Sequence, residues 1–304
     1  MADEDGLEAA MRAVQADFAR LWASITRDGD RPRAPADRQL LLDQIRIALD
    51  RGSSRLKAEP AGFVAGTLAI EGVVYCSEAT EILRLRHRDL GSLHALKTVP
   101  VAAAHATPLT QRLRREAEIG LGLRHPNLVE TAMLLRLDDG RPGILQAWCD
   151  PSLASVMDEV PRRPIDIRAV IWQVLSGLAA MHSAGYVHCD ISPANIFLMG
   201  WATETVKLGD FGISLKCGER HSDLGLRTAV APAFAPPEQD ATTPAHPAWD
   251  IYAIGKLAQC LLAHANGPAD HGLMRFAEQC TLIAPDARPQ TAMAALELLS
   301  SLTP

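Results

Sequence analysis

Apolar positions change texture twice along the chain. Leu7, Met11, Val14, Phe18, Leu21 and Ile25 recur at alternating spacings of four and three, which sets all six on one stripe of an α-helix. Asp5 is placed to cap its start, and Gly29 stands where the periodicity stops. A polar stretch, DGDRPRAPAD, leads into a second helical pattern from Asp37 to Leu56, interrupted by Gly52. From Phe63 short β-like runs take over: FVAGTLAIEGVVY, EILRLRHRD and LHALKTV. One helix follows (TQRLRREAEIGLGL), then two more β-like runs, VETAMLLRL and GILQAWC. From Ser152 helical patterns dominate, including IDIRAVIWQVLSGLAAMHSAG and QTAMAALELLSSL. A small β-rich half followed by a larger helical half predicts an α+β chain of two lobes with a cleft between them.

Composition narrows the classes. With 304 residues, 48% hydrophobic and 22% charged, the chain can bury a sizeable core. A net charge of −6 argues against a nucleic-acid-binding surface. The six cysteines include no CxxC pair, so they read as reduced thiols rather than a zinc site. The start carries no basic segment followed by an apolar run, and no stretch is apolar enough to cross a bilayer, so a cytoplasmic address and no membrane partner are expected.

The most informative string is His188-Cys189-Asp190-Ile191-Ser192-Pro193-Ala194-Asn195, with Asp210-Phe211-Gly212 beginning twenty positions after Asp190. Phosphoryl transfer needs a carboxylate near the attacking hydroxyl, oxygen ligands for Mg²⁺ and a cation on the nucleotide phosphates. An Asp followed five residues later by an Asn, then an Asp before a flexible Gly, meets the first two needs. These motifs resemble the H-R-D-L-x-x-x-N and D-F-G segments of eukaryotic-like serine/threonine protein kinases of the kind that bacteria also carry. The resemblance implies a bilobal kinase fold, with a β-rich N-lobe, a helical C-lobe and an N-terminal helical extension. It implies ATP and Mg²⁺ as cofactors and proteins as substrates. Asp190 would be the catalytic base, Asn195 and Asp210 the metal ligands, and His188 a support. Ala95-Leu96-Lys97 resembles the V-A-I-K strand, and Glu116, nineteen residues on, falls where a helix glutamate would pair with Lys97. Phe234-Ala235-Pro236-Pro237-Glu238, Asp250 and Arg288 resemble architectural positions that small-molecule kinases lack. The implied organisation is a helical extension over residues 1–60, the N-lobe and hinge over 61–150 and the C-lobe over 151–304.

By the same resemblance Ile82 and Ala95 form the roof of the adenine pocket and Phe197 its floor. Leu145 is the gatekeeper, and the hinge runs from Gln146 through Ala147 to Cys149. Four departures stand out. Tyr75-Cys76-Ser77-Glu78-Ala79-Thr80 occupies the G-x-G-x-x-G positions without one glycine, leaving Ser77 or Thr80 to contribute hydroxyls. Cys189 replaces the arginine that pairs with a phosphorylated activation loop, so activity independent of loop phosphorylation is expected; Ser214, Ser222 and Thr228 remain as acceptors. Ser192 and Ala231 replace an interacting lysine–threonine pair. Only LLAHANGPADHG separates the central C-lobe helix from the next, where the family places a further docking helix. An active kinase is the leading reading. A nucleotide-sensing or scaffolding pseudokinase is the alternative, and transfer of AMP is a third. The N-terminal helices offer a surface for a partner or for self-association.

Overall fold

The structure is a computed structural model that describes residues 15–50, 63–64, 66–104, 106–160, 165–199, 205–225, 232–265 and 270–302. The chain divides into two compact units, Met1–Ile70 and Glu71–Pro304. No helix among the described residues is long and apolar enough to cross a membrane.

The first unit contains helix α1 (residues 15–26), the short hairpin β1 (Arg27–Asp28) and β2 (Arg31–Pro32), helix α2 (Pro35–Asp50) and strand β3 (Phe63–Val64). Gly29 makes the hairpin turn at φ +60°, a conformation that costs a glycine little. Of the predicted α1 stripe, Ile25 is buried, whereas Phe18 is exposed and stacks on Trp22 at 6.5 Å. Leu7, Met11 and Val14 lie outside the described residues, as does the predicted end of the second helix. Strand β4 (Leu68–Cys76) pairs its first residues with β3 and runs on into the second unit.

In the second unit the sheet continues in the order β4-β5-β6-β8-β7, with β5 (Glu81–His87), β6 (Leu93–Thr98), β7 (Thr131–Arg136) and β8 (Pro142–Ala147). Buried Leu83 and Leu85 alternate with exposed Arg84 and Arg86, the period-two pattern of a half-covered strand. Helix α3 (Thr107–Gly122) packs on β7 and β8, its Leu113 and Ala117 joining Val99 and Ile144 in one apolar cluster.

The helical lobe follows: α4 (Leu153–Val156), α5 (Ile167–Ser183), α6 (Ala248–His264), α7 (His271–Cys280) and α8 (Ala292–Ser301). Asp166, Asp270 and Thr291 cap α5, α7 and α8 by accepting from backbone N–H groups of the first turn. Between α5 and α6 lie the short pairs β10 (Ile196–Met199) with β11 (Thr205–Leu208) and β9 (Tyr186–Val187) with β12 (Leu215–Lys216). The main core joins Ile119 of α3 to Phe211 and to apolar residues of α5, α6 and α8, so one cluster reaches from the β-rich half into the helical half. Residues 265–270 join α6 to α7.

Candidate active site

Strand β6 and helix α3 meet at a buried ion pair. Register sets Lys97 opposite Ile82 on β5 and Ile144 on β8, while Ala95 lies opposite Gln146. Lys97 Nζ donates to Glu116 Oε1 at 2.6 Å and to Asp210 Oδ1 at 2.7 Å. Lys97 and Glu116 are only 5% and 3% exposed. The Asp210 side chain is 42% exposed, so one of the three charges faces open space. Burial by itself lowers the Lys97 pKa, but the Asp210 and Glu116 carboxylates outweigh it and hold the ammonium above the ordinary lysine range. Burial likewise works to raise Asp210; Lys97, the Gly212 N–H and Arg112 overcome it and bring the carboxyl down to about 2. Glu116 goes the other way, because its burial exceeds the pull of Lys97.

Among the described residues, two that are not glycine take left-handed backbone, Cys189 at φ 69° and Asp210 at φ 64°. Such strain persists only where surrounding bonds fix it. At Asp210 the Gly212 N–H donates to Oδ1, and Phe211 is buried edge-on against His188, with ring centroids 5.9 Å apart. At Cys189 the buried Asp250 carboxylate accepts from the backbone N–H groups of His188 (2.7 Å) and Cys189 (2.9 Å). His182 Nδ1 accepts from Ala292 N, so its Nε2–H donates to the same carboxylate at 3.0 Å. His188 Nε2–H donates to the Gly209 carbonyl and Nδ1 accepts from Asp190 N, tying the His188–Asn195 loop to the segment before Asp210. Asn195 Nδ2 donates to the Asp190 carbonyl (2.8 Å) and to Asp190 Oδ2 (3.0 Å). Asp190 and Asn195 are thus held as a pair, and Lys97, Glu116 and Asp210 as a triad.

Arg288 closes the far end. Its guanidinium meets both Glu238 oxygens (2.6 and 3.1 Å) and the carbonyls of Leu282, Ile283 and Ala248, and it lies over the Tyr252 ring at 4.8 Å.

Around the expected nucleotide pocket, half-buried Ile82 and Ala95 share the sheet face of Lys97. Phe197, half-buried on β10, bridges to Ser152 just past the hinge. Leu145 is corrected. It pairs with Leu96, one step out of phase with Lys97, and successive strand residues point to opposite faces, so Leu145 points away from the pocket and Gln146 shares its face. Gln146 is buried and donates to Thr131 Oγ1 at 3.2 Å; Ala147 ends the strand.

The glycine-free turn is closed by its own serine. Ser77 Oγ accepts from Ala79 N and Thr80 N, and Ser77 N donates to Thr80 O. The hydroxyl expected to face phosphate is therefore used within the turn. Ser192 is buried at the head of the short 3₁₀ turn Pro193–Asn195, and Ala231 and Thr228 lie outside the described residues. Ser214, expected as a phosphorylation acceptor, is buried and donates to His188 O, whereas Ser222 is exposed.

Several positioning residues escaped sequence reasoning. Arg112, one turn before Glu116, donates Nε–H to the Gly212 carbonyl at 2.8 Å; its spacing of four from Glu116 was the available signal. Gly120, one turn after Glu116, lets α3 approach β7: a Cβ there would sit 2.2 Å from Thr131 Oγ1. Gln239 Nε2 donates to the Cys189 carbonyl, and nothing in the sequence marks it.

Comparison with known proteins agrees with this geometry. The model for the protein kinase domain matches residues 78–282, more than half of the chain. Serine/threonine-protein kinase Pkn1 of Myxococcus xanthus is 29% identical over 223 residues, covering 72% of this chain and 30% of that one. The probable serine/threonine-protein kinase PknB of Corynebacterium glutamicum is 25% identical over 248 residues, 79% of this chain and 37% of that one. Human serine/threonine-protein kinase STK11 is 26% identical over 174 residues, 56% and 36% of the two chains. The chain spans about a third of the length of these relatives. With Lys97, Glu116 and Asp210 joined in one ion-pair triad and the family model covering residues 78–282, the chain belongs to the protein kinase domain family.

Proposed function

We propose that this chain is an ATP-dependent serine/threonine protein kinase that moves the γ-phosphoryl group of Mg-ATP onto protein hydroxyls. One observation carries the reading: Lys97 Nζ bridges Glu116 and Asp210 while the Asp210 carboxylate stays open to the cleft. A charged lysine fixed by a buried glutamate is a positioning device for phosphates, worth more in a cleft than in water. Asp210 and Asn195 would hold Mg²⁺. Among the described residues no group of three His, Cys, Asp or Glu side chains converges, and in this reading the donors are one carboxylate and one amide oxygen. That suits Mg²⁺, which keeps water and phosphate oxygens as its remaining ligands. When bound, the ion neutralises charge on the phosphate oxygens. Asn195 commits its amide nitrogen to Asp190, leaving the amide oxygen to offer a metal. Asp190 accepts the proton of the substrate hydroxyl as its oxygen bonds to the γ-phosphorus, and the bond to the β-phosphate oxygen breaks to release ADP.

In this reading Gln146 is the gatekeeper, Ile82 and Ala95 the roof and Phe197 the floor. The exposed Phe18–Trp22 pair supports α1 as a surface for a protein partner or a second copy. The Ser77-closed turn favours a second reading, a nucleotide-sensing pseudokinase, because the amides of Ala79 and Thr80 are occupied within the turn. Incubation with ATP labelled at the γ or at the α phosphorus, with wild type and Asp190→Asn beside a peptide array, separates the possibilities. Transfer of γ label by wild type alone supports the kinase. Transfer of α label identifies AMP as the group moved, and no transfer from either leaves the sensor.

A further inference from the structure

Deepening the kinase reading, we infer that an ion pair between Arg115 on α3 and Glu219 in the activation segment holds α3, and with it Glu116, against Lys97, in the role that a phosphorylated residue would fill. From Asp210 to His221 the segment is tied down step by step by contacts with the rest of the fold. Leu215 and Lys216 pair with Val187 and Tyr186, and Cys217 N donates to Gly185 O. Gly218 N donates to Ala245 O and Ala245 N donates to Glu219 O, bracketing the glutamate. His221 stacks on Trp249 with ring centroids 6.3 Å apart, and its Nε2–H donates to the Ile213 carbonyl. Beneath this lies an apolar cluster of Val187, Cys189, Ile213, Leu215, Ala245 and Trp249. The Cys189 thiol, 3% exposed, fills the place where a guanidinium would otherwise wait for a phosphate.

Held this way, Glu219 presents its carboxylate to the β-rich half. It accepts from Lys216 N at 2.8 Å and forms an ion pair with Arg115. Arg115 precedes Glu116 directly on α3, and Arg112, one turn earlier, donates to the Gly212 carbonyl. Two contacts thus reach from α3 to the segment that begins at Asp210, both from the turn that leads into the residue that fixes Lys97. The Nε–H of Arg115 is buried and has no acceptor among the described residues. Removing the Glu219 charge therefore leaves a partly buried guanidinium poorly satisfied rather than merely one bond short. Because the carboxylate is permanent, the link needs no upstream kinase.

The test compares the full-length wild type with Glu219→Gln, Arg115→Gln and the swap Arg115→Glu with Glu219→Arg. Amide hydrogen exchange is read across residues 107–122, with Mg-ATP affinity and phosphoryl transfer measured alongside. Each single change is expected to speed exchange in α3 roughly threefold to tenfold and to lower transfer by a similar factor, as for an interlobe ion pair stronger than a fully exposed one. The swap should recover much of the loss. Phosphatase treatment of wild type should change neither readout, and added salt should narrow the gap between wild type and the single variants. Wild-type exchange in both single variants would overturn the inference, as would a wild type whose α3 protection falls with phosphatase. Exchange decides this even if wild type transfers no phosphate, an outcome that refutes only the kinase reading.

Discussion

Gly120→Ala isolates the packing that carries Glu116 to Lys97. Taken alone, alanine in a helix is favoured over glycine by about 1 kcal/mol. Here the new Cβ would sit 2.2 Å from Thr131 Oγ1, 3.0 Å from Thr131 Cβ and 3.5 Å from Phe211 Cδ2. Rotating the threonine hydroxyl aside breaks its bond with Gln146 and still leaves the Cβ contact tight. Helix α3 must therefore lift from β7, and Glu116 lies one turn away on the same helix. Overpacking of this kind costs ~1–3 kcal/mol, which cancels the propensity gain and leaves a net loss of up to ~2 kcal/mol. For a chain of this size that lowers Tm by up to about 3 °C. Gly122→Ala supplies the control: it stands at the last residue of the same helix with nothing within 4 Å of the added carbon, so it should be neutral or mildly stabilising. Thermal unfolding of both variants, with and without Mg-ATP, reads the comparison. Gly120→Ala should also show a smaller nucleotide-induced rise in Tm than wild type. If the two alanine variants unfold together and respond equally to nucleotide, the claim that Gly120 sets the depth of α3 is wrong.

Other consequences follow from the same geometry. Asp250→Asn replaces an acceptor of three N–H groups with a side chain that must turn an NH₂ toward one of them, so urea unfolding should show a loss of about 1–3 kcal/mol and transfer should fall. Cys189→Arg does not install a phosphate clamp; it forces a guanidinium into an apolar cluster, and lower Tm with no new phosphatase sensitivity is the expected outcome. Asp210 ionises at about 2 in the fold against an ordinary 3.8, so its contribution to stability is present above pH ~4 and is lost as pH falls toward 2. Asp210→Asn should flatten that part of an acid-unfolding curve.

Much of this site was legible because its chemistry is carried by short strings. Asp190 and Asn195 sit five apart in one loop, and Lys97 ends an apolar strand, so residue type and spacing sufficed to name them. Strand and helix order was equally readable, since period-two and 3.6-residue patterns report which face is buried. Phase was harder. Every residue of β8 but the last is buried, so no alternation betrays which face meets the expected pocket, and only register sets Gln146, not Leu145, on the face of Lys97. The flap misled for a different reason. A serine in a tight turn competes for its own backbone amides, and whether it wins depends on turn geometry that composition does not encode. The links from Arg112, Arg115 and Gln239 span 100, 104 and 50 residues of chain, and no local pattern predicts them.

The claim on which the rest depends is that the Lys97–Glu116–Asp210 arrangement is a working metal–nucleotide site despite its glycine-free flap. Calorimetric titration with ATP, in the presence and absence of Mg²⁺, tests it most directly when wild type is set beside Asp210→Asn. The account predicts binding by wild type that strengthens at least tenfold with Mg²⁺, and an Asp210→Asn variant in which the ion makes little difference. Wild-type affinity that ignores Mg²⁺, or no ATP binding under either condition, would contradict it.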